Sequence, residues 1–252
     1  MLRSKTGLLI LSHLLSWLAV AYLFFTKGNS GQKQDVITVE RVNIVNDDGT
    51  LVMAISNKQR IAAPRIDGKE YPVDMIERQH FAGMIFFNEN GDEVGGLIFN
   101  SNELPDGRKY GSGHLSFDRY RDNQVVNLEY QENIHGLVKS GLTIHDRTGS
   151  GAFARNLDLL KEYKYDSITA ERKQEIIQEI KALKHTGKLG AERLFLGSQN
   201  EIPQLIMKDR SGRKRVRLFI DSTDVAKLQF LDESGNVLQE FPKRTEENLK
   251  EL

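Results

Sequence analysis

Polar and charged side chains gather in and just after the longest irregular stretch of the chain, residues 58–80. Pro64, Asp67-Gly68 and Pro72 interrupt regular structure there. The candidate chemical groups are Arg65, Asp67, Glu70, Tyr71, Arg78 and His80, followed by Glu89, Asp92 and Glu93 beside the next turn. Two carboxylates can carry out glycoside hydrolysis, one of them as an acid. The spacing selects no pair, so the sequence indicates a region near the 58–80 loop, with an ordinary solvated connection as the alternative.

A second candidate is a basic stripe on one predicted strand. Residues 208–217 read KDRSGRKRVR. If Val216, Leu218 and Ile220 face the core, then Arg213, Arg215 and Arg217 share the outer face, because side chains alternate along a strand. Such a stripe predicts binding of anionic lipid headgroups or acidic glycans. The alternative is a solvated face that neighbouring acids neutralise.

Other kinds of site lack the required residues. The five histidines beyond the N-terminal segment show no metal-ligand spacing: His80, His114, His135, His145 and His185. The acidic turn at Asn46–Gly49 lacks the ligand pattern of an EF-hand. The chain has no cysteine and no Walker or nucleophile-elbow sequence. We therefore predict no metal and no cofactor, and the zero formal net charge argues against a nucleic-acid partner.

One turn pattern positions all of these candidates. In five places an Asn or Asp that ends an alternating apolar run is followed three residues later by Gly: Asn46–Gly49, Asn88–Gly91, Asp146–Gly149, Asp209–Gly212 and Asp232–Gly235. Apolar residues stand two and four positions before each one, as expected for a strand with one buried face. Asx followed by Gly at this spacing favours a type I turn with a bulge, which joins two antiparallel strands.

Further elements complete the predicted fold class. Leu115 and Phe117 on one side of Asp122-Asn123, and Val126 to Tyr130 on the other, predict another hairpin. Apolar residues at helical spacing, Ile176 to Leu183, predict a helical insertion. The prediction is a mainly β body of antiparallel hairpins, arranged as a sandwich, a barrel or a curled sheet, with this helical insertion.

The N-terminal segment predicts a membrane anchor. Residues 7–25 contain 19 uncharged positions, about 28 Å as a helix, close to the roughly 30 Å hydrocarbon core. Arg3 and Lys5 precede the segment, which favours a cytoplasmic N-terminus and a periplasmic or extracellular body. The alternative is a cleaved signal peptide ending at Ala19-Val20-Ala21. The predicted divisions are 1–27 (cytoplasmic N-terminus and transmembrane anchor), 28–35 (flexible tether), 36–155 and 190–242 (two parts of the β-hairpin body), 156–189 (helical insertion) and 243–252 (charged tail).

Three blocks carry a resemblance to a known family. They are ERVNIVNDDGTLVMAISN (40–57), GMIFFNENGDEVGGLIFN (83–100) and RVRLFIDSTDVAKLQFLDESGNV (215–237). Together they resemble a family of uncharacterised bacterial envelope proteins that repeat this hairpin signature after an apolar start. The resemblance implies a bacterial, envelope-located protein and no particular activity.

These observations favour a non-enzymatic function. The expected role is a membrane-anchored binding or structural module of the cell envelope, with an envelope protein, lipid or glycan as its partner. Two other functions stay open, an enzyme acting on envelope glycans near the 58–80 loop and a polyanion-binding module at Arg213, Arg215 and Arg217.

Topology gives the first testable prediction. Because the basic residues precede the apolar segment, residues 28–252 should lie outside the cytoplasmic membrane. A protease that cannot cross that membrane should digest the body once any outer barrier is opened. Full protection of the body would reverse the assignment, and a mature N-terminus at Tyr22 would show cleavage in place of anchoring.

Overall fold

The N-terminal part of the structure is a helical segment described by itself. The computed structural model describes residues 13–22 and 35–243, and residues 13–22 form helix α1. Within these described ranges no helix combines the length and hydropathy needed to cross a membrane. The rest of the predicted span 7–25, and most of the predicted tether 28–35, lie outside the described residues.

The body is one twelve-stranded antiparallel sheet with two helices and a small hairpin. Its main strands are β1 (Arg41–Val45), β2 (Leu51–Ser56), β5 (Ala82–Phe87), β6 (Glu93–Glu103), β7 (Lys109–Asp118), β8 (Gln124–Glu132), β9 (Val138–Asp146), β10 (Ala191–Gln199), β11 (Ile202–Lys208), β12 (Lys214–Ile220), β13 (Ala226–Leu231) and β14 (Val237–Phe241). The order follows the chain, from β1 at one edge to β14 at the other. The small hairpin pairs β3 (Arg65–Ile66) with β4 (Lys69–Glu70).

The mainly β prediction is confirmed, and the sheet is single and open. The prediction named a sandwich, a barrel or a curled sheet, and the first two do not describe this arrangement. Closing a sheet requires the strand register to stagger steadily from one strand to the next. Here register partners run straight across, for example from Val42 through Ile55 and Met84 to Leu97, so no stagger accumulates along that row.

Four of the five predicted Asx-x-x-Gly turns join neighbouring strands. In each of them the glycine N–H donates to the carbonyl of the Asn or Asp. The fifth, Asp146–Gly149, is different because the chain leaves β9 there for the helices, and Gly149 N–H donates to Asp122 instead. The same turn also occurs at Asn133–Gly136 between β8 and β9. The sequence pattern did not predict it, because Gln131 and Glu129 stand two and four positions before Asn133.

One side of the sheet, which we call the open face, is apolar from edge to edge. Two rows of register partners cross all twelve strands on this side. One row is Val42, Ile55, Met84, Leu97, Leu115, Leu128, Leu142, Leu196, Leu205, Leu218, Leu228 and Phe241. The other is Ile44, Met53, Phe86, Gly95, Phe117, Val126, Ile144, Leu194, Met207, Val216, Phe230 and Gln239. Neither row contains a charged side chain, and several members are about half exposed.

The opposite side, the covered face, holds the buried core. Ala54, Ile85 and Phe87 of the sheet pack there against Ile61 and Ala62 of the irregular segment. A second cluster joins that segment to helix α2 through Ile66, Tyr71 and Leu157. The core therefore lies on one side of the sheet, between the strands, residues 58–81 and α2.

The predicted helical insertion is a pair of helices. They are α2 (Ala152–Tyr165) and α3 (Ala170–His185), so the pair begins four residues before the predicted boundary at 156. α2 ends before Asp166, whose backbone is extended, and α3 begins after Thr169, whose side chain accepts a hydrogen bond from Arg172 N–H. Arg155–Glu179 and Arg172–Glu162 ion pairs link the two helices.

Turn glycines give the second prediction. Gly235 has φ +85° with no atom within 4 Å of an added Cβ, whereas Gly113 in β7 has equal space and no positive φ. Gly235→Ala should lower the free energy of unfolding by about 1–2 kcal/mol, because alanine is strained in the left-handed region. Gly113→Ala should be neutral or stabilising by up to about 1 kcal/mol. Urea unfolding of both variants checks this, and an equal loss in both would contradict it.

Candidate functional site: an amide-rich cleft

A buried ion pair holds the irregular segment 58–81 against the sheet. Arg78 donates two hydrogen bonds to Glu93 of β6, at 2.9 and 2.6 Å, and both side chains are nearly buried. The same guanidinium donates to the Ala62 carbonyl at 3.2 Å. Arg78 therefore ties both ends of the segment to one point on the sheet.

The other carboxylates predicted as catalytic candidates already have partners or lie apart. Buried Asp92 accepts a hydrogen bond from Gly68 N–H at 3.0 Å and faces Arg121 at 3.4 Å. Asp67 pairs with Arg121 at 3.0 Å, and Glu70 pairs with Arg65 within the β3–β4 hairpin. Glu89 is exposed on its turn.

Tyr71 closes this segment onto helix α2. Its buried hydroxyl donates to Asp158 at 2.9 Å, and Lys69 pairs with the other oxygen of the same carboxylate. Burial, followed by the hydrogen bond to Asp158, raises the pKa of the Tyr71 phenol well above its usual range. Tyr71 therefore stays protonated and acts as a fixed donor between the segment and the helix.

Asp118 of β7 is a carboxyl group that sequence reasoning did not single out. It lines a cavity of about 300 Å³ with Arg78 and Glu93, closed on the other side by Phe153 and Leu157 of α2. Its Oδ1 is buried without a hydrogen-bond partner. Burial, and next the charge of Glu93, raises the pKa of Asp118 to about 7. Because the group can gain or lose a proton near neutral pH, it is chemically suited to acid–base work.

Two adjoining cavities form a longer cleft at the other end of the covered face. One has a volume of about 840 Å³ and takes in both ends of the 58–80 segment, including Lys58 and His80. The other, about 460 Å³, lies over β6 to β10. Asn100 and Tyr110 line both cavities. We call the combined surface the amide-rich cleft.

A row of register partners lines the second cavity of the amide-rich cleft. Asn100, Ser112, Gln131, Lys139 and Gln199 stand opposite one another on five consecutive strands, β6 to β10. Because they are register partners, their side chains project from the same side of the sheet. The sheet therefore arranges polar side chains as a ladder across about 19 Å, at the usual strand spacing.

The asparagine side chains of the cleft present amide N–H groups. The Oδ1 atoms of Asn57, Asn100, Asn102, Asn133 and Asn200 each accept a hydrogen bond from a neighbour. Their amide nitrogens donate no hydrogen bond to any part of the chain that the structure describes. The Oε1 atom of Gln79, by contrast, is buried without a partner. The cleft thus carries amide donors without net charge.

The predicted basic stripe is not a set of free arginines. Arg213 pairs with Asp209 at 2.8 Å and with Glu233 at 3.0 Å, and Arg215 lies 3.8 Å from Asp209. Arg217 donates to Gln204 and stacks over Phe219 at 3.8 Å. Carboxylates thus neutralise two of the three arginines, and polyanion binding at the stripe stays a prediction.

The expected direction of this strand was wrong. Val216, Leu218 and Ile220 alternate with the arginines as predicted, but they lie on the open face, where Leu218 is 47% exposed. Phe219, beside Arg217, is 8% exposed. The alternation depends on neighbouring residues, so the sequence predicted it correctly. Which side is buried depends on the covering layer, and the chain places that layer on the other side of the sheet.

The histidines are spread over the molecule. Burial lowers the pKa of His114 and of His145, which favours the neutral imidazole in both. Within residues 13–22 and 35–243, no three side chains of the types His, Cys, Asp or Glu are grouped to hold a metal ion.

Comparison with known proteins adds no family assignment. No protein-family model matches the chain, and no curated protein matches it. The resemblance to bacterial envelope proteins therefore stays a prediction from the three sequence blocks.

Asp118 gives the third prediction. A raised carboxyl pKa means that the folded state holds the proton more tightly, so stability is full near pH 4 and is lost as the pH rises towards 7. Asp118→Asn should remove that loss. At pH 8 the variant should be more stable than the parent, by at most about 4 kcal/mol at 1.36 kcal/mol per pKa unit, and the gain should be smaller at pH 5.

Urea unfolding at the two pH values measures this difference. Asp47→Asn, at an exposed turn position, is the control and should show no such pH-dependent gain. An Asp118→Asn effect of equal size at pH 5 and pH 8 would show that Asp118 carries no raised pKa.

Proposed function

We propose that the chain is a non-enzymatic, membrane-anchored module of the cell envelope that binds an uncharged glycan in the amide-rich cleft. The observation that carries this proposal is the composition of the cleft. Nine of its 23 lining residues are Asn or Gln, against 27 of 252 in the whole chain. The nine are Asn57, Gln59, Gln79, Asn100, Asn102, Gln131, Asn133, Gln199 and Asn200.

Amide side chains suit a ligand rich in hydroxyl groups. Each amide offers two donors and an acceptor at fixed angles, whereas a hydroxyl both donates and accepts. Each hydrogen bond adds about 0.5–1.5 kcal/mol net, so several together are required for useful affinity. A sugar chain supplies many hydroxyls at regular spacing, which matches a cleft with amides along its length.

The aromatic rings and the charge balance of the cleft restrict the class of ligand further. Tyr110 stands where the two cavities join, and Phe81 lines the larger one. A flat ring offers apolar area to the C–H faces of a sugar. Lys139 is already paired with Glu129, and Glu132 accepts a hydrogen bond from Tyr130. The cleft has no unopposed basic cluster, which favours a neutral glycan over an acidic one.

The contacts of the candidate carboxylates favour binding without cleavage. Arginines already pair with the candidate carboxylates Glu93, Asp92, Asp67 and Glu70, so none of the four is free to contact a substrate. The N-terminal segment would hold the module at the membrane, with its body outside, as the order of charged and apolar residues predicts.

An enzyme acting on glycans is the second candidate, and one observation favours it. Asp118 is a buried carboxyl with a free oxygen and a pKa near 7, in a cavity beside Glu93. This candidate requires that glycan is consumed and that Asp118→Asn abolishes its consumption. Binding that Asp118→Asn leaves intact, without any release of shorter sugars, supports the binding module.

Glycan binding is tested with the full chain in a zwitterionic detergent that has no sugar headgroup. The probes are the tetramers of β-1,4-linked N-acetylglucosamine and glucose, and a uronic-acid oligosaccharide of equal length. Calorimetric titration should detect binding of at least one neutral tetramer. Tyr110→Leu should weaken it at least tenfold, which corresponds to about 1.4 kcal/mol.

The control variant is Tyr163→Leu, which removes an exposed tyrosine of α2 outside the cleft. It should bind like the parent. Absence of binding to both neutral tetramers, binding of the acidic probe alone, or equal affinity of Tyr110→Leu and the parent would each refute the proposal.

A further inference from the structure

We infer that the open face of the sheet is an interface between two copies of this chain, packed face to face. This inference concerns the side opposite the amide-rich cleft and does not depend on glycan binding. It rests on the two rows of register partners that cross the twelve strands with 22 apolar side chains in 24 positions.

The open face is too apolar to suit water as its neighbour. Leu128 is 55% exposed, Leu196 52% and Phe117 54%, and all three lie near the middle of the sheet. Contiguous exposed apolar patches larger than a few hundred Å² are rare on monomers and mark interaction sites. A sheet normally buries one face against another layer, and the layer that the body supplies, the irregular segment and helix α2, lies on the covered side.

The size of the open face matches a stable dimer. Twelve strands at about 4.8 Å spacing span about 53 Å, and two rows with their flanking positions cover about 15 Å along the strands. The product is roughly 800 Å², which is the area that each partner buries in an interface of standard size.

A second copy fits this surface better than a lipid or a small ligand. The edge strands β1 and β14 keep one row of unpaired backbone groups, and such edges are not tolerated in a hydrocarbon layer. The cavities described above lie on the covered side, so the open face has no pocket for a small ligand. Another apolar sheet face of equal width packs at about 10 Å without such a requirement.

Self-contact also brings no like charges together. The two rows contain no Asp, Glu, Lys or Arg, so a two-fold arrangement has no electrostatic cost at its centre. The paired copies would present their amide-rich clefts on opposite sides. Two clefts in one particle would raise the effective affinity for a glycan chain long enough to reach both.

The chain contains no cysteine, which makes single-cysteine cross-linking a clean test. β8 and β9 are the sixth and seventh of the twelve strands, so full overlap places the two-fold axis near Leu128. Full-length Leu128→Cys, in its native membrane, should give a product of twice the chain mass with a short bis-maleimide. Two differently tagged copies should both be present in that product.

The matched control is Leu137→Cys, a leucine of similar exposure, 51%, outside the two rows. It should react with maleimide and give no dimer. Adding Leu196→Glu to Leu128→Cys should abolish the cross-link, whereas adding Leu137→Glu should leave it intact.

Three outcomes would overturn the inference. A cross-link from Leu128→Cys to a different protein would assign the open face to another partner. Full reaction with a monofunctional maleimide without any dimer would show an uncovered face. If the introduced thiol fails to react with the monofunctional maleimide and no dimer forms, then lipid or another segment of the same chain covers the open face. None of these results affects glycan titration, so the two proposals fail separately.

Discussion

The buried pair between Arg78 and Glu93 is the contact on which the covered side of the molecule depends. A guanidinium and a carboxylate that face each other away from water tolerate the loss of neither partner, since a single buried charge costs several kcal/mol. Here the same guanidinium also reaches the Ala62 carbonyl, so one side chain fixes the start and the end of an irregular segment. The wall of the larger cavity, which contains Gln79 and His80, is continuous with that fixed point.

The two sides of the sheet differ in the chemical character of their side chains. On the covered face, strands β6 to β10 carry amides and other polar groups that a segment, a helix and ion pairs partly enclose. On the open face the same strands carry leucines, valines and phenylalanines in straight rows. A single-layer sheet offers both sides to its surroundings, so each side can take a different partner. The proposed glycan and the proposed second copy would therefore not compete.

The charged groups of the covered side are used mainly to build it. Asp92, Asp67 and Glu70 lie in ion pairs that join turns and hairpins, and Tyr71 connects the segment to α2 through Asp158. Such groups add structural specificity, whereas Asp118 stands out because its Oδ1 is buried without a hydrogen-bond partner and its pKa is raised to about 7. Neutral amides avoid the cost of burying a charge, since they bind a polar ligand without requiring a counter-charge. This difference favours recognition in the cleft and leaves Asp118 as the candidate for proton transfer.

By itself the sequence determined the local structure of this protein. Asx-x-x-Gly turns, strand alternation and the helical spacing around Ile176 depend on neighbours within a few residues. The structure contains four of the five turns as hairpins and a helix over Ile176, whereas the break that divides the insertion into two helices was not predicted. The sequence also indicated residues 58–80 as a candidate functional region. Only the tertiary structure decided that Leu218 is exposed while Phe219 is buried, that Arg78 meets Glu93, and that Asn100, Gln131 and Gln199 line one cleft. These facts depend on strand register and on which side of the sheet the segment and α2 cover, and such contacts join residues far apart in the chain that no local pattern connects.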